Sequence, residues 1–290
     1  MHVPVLLDEV LEYLQPKEGQ NFIDCTIGGG GHSFKILSCT KPNGKVLGID
    51  LSPKAIEKID NQRRTLNLRE RIILSNDNFA NLEEIVELNS FSPVHGILLD
   101  LGLSSDLIEN SGRGFSFMRD EILDMRFNPE SGKLTAQEIV NQYSEKTLRE
   151  IFWRYGEERY SPRIAQEIVK NRKRKKIQTS AQLSELIKNA LGFRFQIKIL
   201  ARIFQSLRIV VNQELENLQQ VLTSSIDILS PSGRIVVLSY HTLEDRIVKR
   251  FFKEEDSFKI LTKKPITPIS EEIKKNPRSR SAKLRVAEKI

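Results

Sequence analysis

Four polar strand ends lie within the first hundred residues. Asp24 falls within Phe22-Ile23-Asp24-Cys25-Thr26, and Asp50 closes Val46-Leu47-Gly48-Ile49-Asp50. Asn76-Asp77-Asn78-Phe79 follows Arg71-Ile72-Ile73-Leu74, and Asp100 closes Gly96-Ile97-Leu98-Leu99-Asp100. Short apolar runs bounded by polar residues and glycine read as buried strands. Just after the first run comes Gly28-Gly29-Gly30-Gly31-His32. Four glycines permit a tight turn and leave no side chain to hold a ligand away from the backbone. An acid at the end of the next strand, Asp50, can accept hydrogen bonds from both hydroxyls of a ribose. Phe79 offers a flat apolar face for a base. Together these groups suit a nucleoside-bearing cofactor on one rim of an open α/β sheet. The dinucleotide pattern GxGxxG is not met, because Ser33 stands at its last glycine counted from Gly28. That speaks against a pyrophosphate-linked dinucleotide. Taken singly, a glycine cluster is a turn and a strand-end acid is a helix cap; their joint occurrence is what points to a site.

The elements that must hold these residues alternate. Between the runs, Ser52-Pro53 reads as an N-cap followed by proline at the first helical position, opening a helix through Ile56 and Ile59. Strands alternating with helices imply βαβ units and a parallel sheet. From Ser105 to Arg208 the strand signal disappears. Thr135-Ala136-Gln137-Glu138 reads as a capping box and Ser161-Pro162 as a helix start, while Ile151, Phe152 and Tyr155 recur at helical spacing and stop at Gly156. After Leu207 a helical face of Leu215, Leu218, Val221, Leu222 and Ile226 leads through Leu229–Arg234 to the strand Ile235–Leu238. A helix over Leu243–Phe252 and β-like pieces near 258–262 and 284–287 complete the chain. The expected layout is α/β: one Rossmann-like sheet domain from residues 1–104 and 209–290, interrupted by an all-helical insertion, 105–208.

Composition narrows the class. Of 290 residues, 39% are hydrophobic and 29% charged, which supports a packed core rather than a disordered chain. The net charge is +7, with +6 in Arg163–Lys176, another +6 in Lys274–Lys289 and −5 elsewhere. Basic charge gathered in two places suits a polyanion. Two cysteines, Cys25 and Cys39, make neither a disulfide framework nor a four-ligand zinc site. His2, His32, His95 and His241 are scattered without a cysteine at ligand spacing, so no metal is expected. His95, inside an apolar strand, reads as structural. With no secretory signal and no apolar run of membrane length, a soluble cytoplasmic protein is expected.

Several longer segments resemble the MraW/RsmH family. They are His2-Val3-Pro4-Val5-Leu6-Leu7, the loop Gly28–His32, Asp100-Leu101-Gly102-Leu103-Ser104-Ser105, Arg113-Gly114-Phe115-Ser116-Phe117 and Trp153–Glu158. Ser239-Tyr240-His241-Thr242-Leu243-Glu244-Asp245-Arg246 and Arg280–Arg285 complete the set. The resemblance spans essentially the whole chain. It implies a class I S-adenosylmethionine-dependent methyltransferase with a helical insertion serving substrate recognition. The implied reaction is methyl transfer to N4 of a cytidine in the decoding region of 16S rRNA, in the small subunit or a precursor. It further implies that Gly30, Gly31 and His32 meet the methionine end of the cofactor, Asp50 the ribose and Phe79 the adenine, with Asp100 closing the pocket near the sulfonium. Leu107 stands where the family often has a cofactor-touching glutamine, and Lys198-Ile199 stand where it often has His-Pro.

An exocyclic amine of cytosine is a weak nucleophile because its lone pair is delocalised into the ring. It needs alignment with the bond to be broken and an acceptor on its protons. Asp100 is the first candidate acceptor and Tyr240-His241 the second, although Asp100 could equally serve only the cofactor. The Asp/Asn-Pro-Pro-Tyr/Phe motif of other amino methyltransferases is absent. The base must leave its stack, so Phe115, Phe117, Trp153 and Tyr240 become stacking candidates, with core packing the plainer reading for Trp153. The basic segments are expected to contact RNA phosphates. A homodimer through the insertion is a further expectation. The alternatives are a methyltransferase acting on amino groups of DNA or protein, and an RNA-binding assembly factor with a vestigial cofactor fold.

Overall fold

A computed structural model describes residues 4–290, without the side chains of residues 105 and 106. The chain divides into two compact units, Met1–Gly102 with Leu215–Ile290, and Leu103–Glu214. The first is a seven-stranded sheet in the order β3-β2-β1-β4-β5-β7-β6. The strands are β1 (Phe22–Asp24), β2 (Val46–Ile49), β3 (Ile72–Ser75), β4 (Val94–Asp100), β5 (Leu229–Ser239), β6 (Phe258–Ile260) and β7 (Lys283–Lys289). β1 to β5 run parallel, β7 is antiparallel to β5, and β6 is antiparallel to β7.

Successive strand residues feed opposite cores, as a period of two requires. Phe22, Val46, Leu98 and Val236 pack with Val10 and Leu14 of α1 (Leu7–Leu14), Ile36 and Leu37 of α2 (Gly31–Cys39) and Ile59 of α3 (Pro53–Thr65). Ile23, Leu47, Ile97 and Ile235 face the other side. There they meet Leu82 and Ile85 of α4 (Leu82–Leu88), Leu218 and Leu222 of α11 (Glu214–Ile228) and Val248 and Phe252 of α12 (Thr242–Glu254). Burial on both faces explains why the strands read as unbroken apolar runs. Ser52 caps α3 by accepting from the Ala55 N–H, and Pro53 opens the helix. β5 departs from a plain strand. It pairs Leu229 with Val94 and then Arg234 with Gly96, so residues 230–233 bulge out, with Ser232 at φ 62°.

The chain runs outward through β1, β2 and β3, then returns to place β4 against the free edge of β1. This reversal puts the carboxyl ends of β1 and β4 side by side, the place where open α/β sheets bind ligands.

The second unit is helical: α5 (Ser105–Glu109), α6 (Ala136–Gln142), α7 (Glu145–Arg154), α8 (Ser161–Arg172), α9 (Ser180–Leu191) and α10 (Ile197–Asn212). Its core joins Ile139, Leu148, Phe152, Ile164, Ile168, Leu183, Ile187, Ile203 and Leu207. Thr135 and Glu138 form the capping box of α6, and Ser161 is the first residue of α8. Gly156 follows α7, but it is absent from the residues with positive φ, so chain reversal is not why it is glycine. A Cβ there would lie 2.7 Å from the Phe152 carbonyl oxygen and 3.0 Å from that of Arg202. Both are backbone atoms and cannot step aside. Gly156→Ala is therefore expected to destabilise the protein by about 1–3 kcal/mol, the usual cost of overpacking, read as a lower urea midpoint at unchanged m-value. Among the described residues no helix is long and apolar enough to cross a membrane.

Candidate active site

The rim above β1, β2 and β4 is tied together by carboxylates. Asp24 is 2% exposed; its Oδ1 accepts the Thr26 N–H at 3.1 Å and its Oδ2 the Ser33 hydroxyl at 2.6 Å. Asp24 thus clamps the end of β1 to the first turn of α2, with the glycine loop held between. Burial pushes its pKa up, against the hydrogen bond from Ser33. The Thr26 hydroxyl in turn accepts the Asp100 N–H at 2.7 Å, joining β1 to β4.

Within the loop the four glycines have separate duties. Gly30 has φ 77°, and a Cβ on it would lie 2.6 Å from the Phe34 ring and 2.8 Å from Ile59. A Cβ on Gly31 would lie 2.4 Å from Pro4. A Cβ on Gly29 would meet nothing within 4 Å, and one on Gly28 only the Thr26 carbonyl at 3.6 Å. Gly30 and Gly31 are glycine because the loop packs tightly beneath them; Gly28 and Gly29 present bare backbone to open space. That bare face fits a ligand held at close range.

Asp50 sits at the end of β2. Its Oδ2 accepts the Gly28 N–H at 2.9 Å and its Oδ1 the Ser52 N–H at 2.8 Å. Desolvation dominates and raises its pKa to about 6, with no cation among the causes. A carboxylate that has lost water and gained no counter-ion is suited to accept ribose hydroxyls, whose hydrogen bonds favour the charged form. The fit makes a pH prediction. Ligand hydroxyls would lower the Asp50 pKa, so cofactor affinity should be nearly full at pH 7, and fall as the acid protonates through pH 6. Between pH 7 and pH 5 the loss should reach about tenfold, the statistical limit for a free-state pKa near 6. Calorimetric titrations at both pH values check this, and Asp50→Asn should flatten the profile. Asn76 donates to the Asp50 carbonyl at 2.8 Å, and Phe79 opens a short 3₁₀ turn (Phe79–Asn81) behind it, partly buried against the core.

Asp100 closes β4 at the switch point. Its Oδ1 accepts the Tyr240 hydroxyl at 2.7 Å and lies 3.3 Å from the Gly102 nitrogen that donates to it. Its Oδ2 is 3.9 Å from His32 Nδ1, beyond hydrogen-bonding reach. His32 is 7% exposed and spends its Nε2–H on the Val5 carbonyl at 3.0 Å, so Nδ1 is the side turned to Asp100. Burial and the neighbouring Asp100 push the Tyr240 pKa up, so the hydroxyl stays protonated and donates. Its ring lies where a Cβ on Gly102 would be, 2.8 Å away, so Gly102 is glycine to admit it.

These placements revise the second acceptor. Tyr240 keeps its proton and donates it in a hydrogen bond to Asp100, which makes it first of all a donor here. His241 is the N-cap of α12: its Nδ1 accepts the Glu244 N–H at 3.3 Å, in a capping box closed by Glu244 Oε2. An accepting Nδ1 leaves Nε2 as the protonated nitrogen of a neutral ring. Nε2 is buried, 3.1 Å from Glu244 Oε1 but outside hydrogen-bond geometry. His241 thus presents no free acceptor, and Tyr240 only the weak lone pairs of a phenol. The roles that sequence reasoning missed are those of Asp24, Thr26 and Glu244; Asp24 showed only as a strand end, and the loop conformation that gives it partners is not visible in residue order.

The helical residues separate differently. Leu107, on α5, packs against the helical core, an adequate reason for an apolar side chain there. Phe115 stacks on Phe127 with centroids 5.8 Å apart, and Phe117 meets Phe204 edge-on at 5.7 Å; both belong to the core. Trp153 is 60% exposed, against the expectation of core packing. α7 buries Leu148, Ile151 and Phe152, and one further residue along a helix turns Trp153 away.

The basic segments are also divided. Lys173–Lys176 are exposed, but Arg172 donates to the Val140 carbonyl at 2.8 Å. Arg285, 7% exposed, and Lys283 both bind Asp245, and Lys289 holds the Ile226 and Leu229 carbonyls. Much of the C-terminal charge thus serves the sheet. The phosphate role expected of Arg285 does not fit its burial against a carboxylate.

The sequence matches the model of the MraW methylase family over residues 1–290. It is 44% identical over 310 residues to the ribosomal RNA small subunit methyltransferase H of Thermomicrobium roseum, covering 100% of this chain and 94% of that one. The protein of the same name from Carboxydothermus hydrogenoformans is 42% identical over 309 residues, covering 100% of this chain and 98% of its own.

Proposed function

Since the chain belongs to the MraW methylase family, we propose that it methylates the exocyclic N4 of a cytidine in the decoding region of 16S rRNA. It is an S-adenosylmethionine-dependent methyltransferase of the class I fold acting on small-subunit rRNA. Bound S-adenosylmethionine supplies an electrophilic methyl group on a sulfonium. The chain supplies everything else. Bare backbone at Gly28–Gly29 and the Asp50 carboxylate would hold the methionine and ribose portions, and Phe79 would flank the adenine. Asp100 Oδ2 would accept a hydrogen bond from the amine; as the N–CH₃ bond forms and the S–CH₃ bond breaks to release S-adenosylhomocysteine, it would take the proton that the nitrogen sheds.

The observation that carries the N4 assignment is the division of labour within Asp100. Tyr240 and Gly102 anchor Oδ1, which leaves Oδ2 as a fixed acceptor of the kind an amine needs. Methylation at cytosine C5 would call instead for a thiolate nucleophile. Cys25 is 1% exposed with its pKa raised by burial, and Cys39 lies at the far end of α2 from the glycine loop. In this reading the helical unit recognises RNA, the partner is the small subunit or its precursor, and the place of action is the cytoplasm. A homodimer through the helical unit belongs to the same proposal, with exposed Trp153 as the side chain to be covered.

Transfer of tritium from labelled cofactor to separated small-subunit RNA, large-subunit RNA, DNA and protein tests the substrate class. Label confined to small-subunit RNA supports the proposal. Label on DNA or protein favours the other amino-group reading, and an absence of saturable cofactor binding favours a vestigial assembly factor.

A further inference from the structure

The helical unit contains a cavity of about 290 Å³ lined by residues of that unit alone. Its lining includes Glu158, Arg159, Tyr160, Arg194, Lys198 and Arg202. Four cations therefore face one acid. Glu158, 1% exposed, accepts the Tyr160 N–H at 2.9 Å and lies 3.3 Å from Arg202, so it neutralises Arg202 alone. Among the described residues no carboxylate pairs with Arg159, Arg194 or Lys198.

Two of these cations are held by aromatic rings. The Arg159 guanidinium lies 4.7 Å from the centre of the Tyr160 ring and donates to its hydroxyl at 2.9 Å. Arg194 lies 4.3 Å over Phe193, which is 89% exposed. Stacking fixes the plane of a guanidinium while leaving N–H groups at its edge for a planar or tetrahedral anion.

The third contribution comes from backbone. Gln196 is the N-cap of the sixteen-residue α10, and Lys198 and Ile199 fall in its first turn, all at the cavity wall. No side chain caps this helix and no acid occupies its first turn. The Ile199 N–H already bonds the Gln196 carbonyl at 2.8 Å, so it is the N–H groups of Ile197 and Lys198 and the positive end of the dipole that are available to an anion. Cavity, cations and helix terminus converge on one ligand chemistry.

We infer that this cavity binds a phosphate group of the RNA backbone. The inference rests on RNA being the substrate, and it assigns the helical unit a defined contact instead of a diffuse basic surface. A free nucleotide would bring the same phosphate chemistry, so the test must separate the two sources.

The full-length chain is compared with Arg159→Gln, Arg194→Gln and Lys198→Gln, singly and combined. The probe is a single-stranded RNA oligomer copying the decoding region, bound across a salt series. Loss of the one phosphate contact should make the log-affinity versus log-salt slope shallower by about 0.7 in the triple variant, and by no more than that in any single variant. Affinity for S-adenosylmethionine should be unchanged, and a wild-type urea midpoint and m-value report that each variant is folded. Arg194→Lys should keep most of the slope. Lines parallel to wild type would overturn the inference. So would cytidine monophosphate binding as tightly as the oligomer and being lost in the same variants, since the pocket would then serve a free nucleotide. A wild-type protein that binds RNA through these residues yet transfers no methyl group would uphold the pocket and sink the transfer reading.

Discussion

Replacing Asp100 by Asn should lower the methyl-transfer rate by about a hundredfold or more while leaving S-adenosylmethionine affinity within a few-fold of wild type. The amide oxygen can still accept the Tyr240 hydroxyl, as Oδ1 does at 2.7 Å. The amide nitrogen then stands in place of Oδ2, and its N–H groups face the protons of the incoming amine. An acceptor becomes a donor where charge develops, and loss of one such group costs about 10²–10³ in rate. Rate and cofactor affinity falling together would instead assign Asp100 to the cofactor pocket. Tyr240→Phe leaves the carboxylate in place and removes only its anchor. It should cost about tenfold in rate, the worth of one charge-assisted hydrogen bond at the lower end of the range. Single-turnover rates at saturating cofactor and RNA distinguish these outcomes from binding effects.

Asp50→Ala should have the largest effect on binding. Hydrogen bonds to an ionised carboxylate contribute about 1.5–3 kcal/mol each, so losing the ribose acceptor should weaken cofactor affinity tenfold or more. The substitution also removes the partner of the Gly28 and Ser52 N–H groups, loosening the loop that carries the methionine end. The weakening should therefore extend to S-adenosylhomocysteine, which shares the ribose but lacks the transferable methyl. Calorimetry with both ligands reads it. An unchanged affinity for either would remove Asp50 from the site.

Much of the sheet was legible because its strands are short apolar runs, buried on both faces and ended by polar residues. Phe22–Asp24, Val46–Ile49 and Val94–Asp100 announce themselves in this way. The Ser52-Pro53 start of α3 and the Thr135–Glu138 capping box were equally plain, since both are local chemistry. Side-chain direction was less accessible. Trp153 reads as core by composition and stands exposed because its helix buries the neighbouring face. His241 reads as an acceptor by type but is consumed as an N-cap. Arg285 counts as RNA-seeking charge until β7 sets it against Asp245. The clamp from Asp24 through Thr26 to Asp100 joins residues 74 apart at its second link, and only the fold brings them together.

The most direct test is the identity of the methylated nucleoside. Small-subunit RNA from cells lacking the enzyme, treated with the purified protein and S-adenosylmethionine, is digested and its nucleosides separated by mass. A fixed acceptor at Asp100 and no poised thiolate predict N4-methylcytidine, formed at one position and absent with Asp100→Asn. A product of 5-methylcytidine or a 2′-O-methylated nucleoside would contradict the role given to Asp100, whatever the affinity for cofactor.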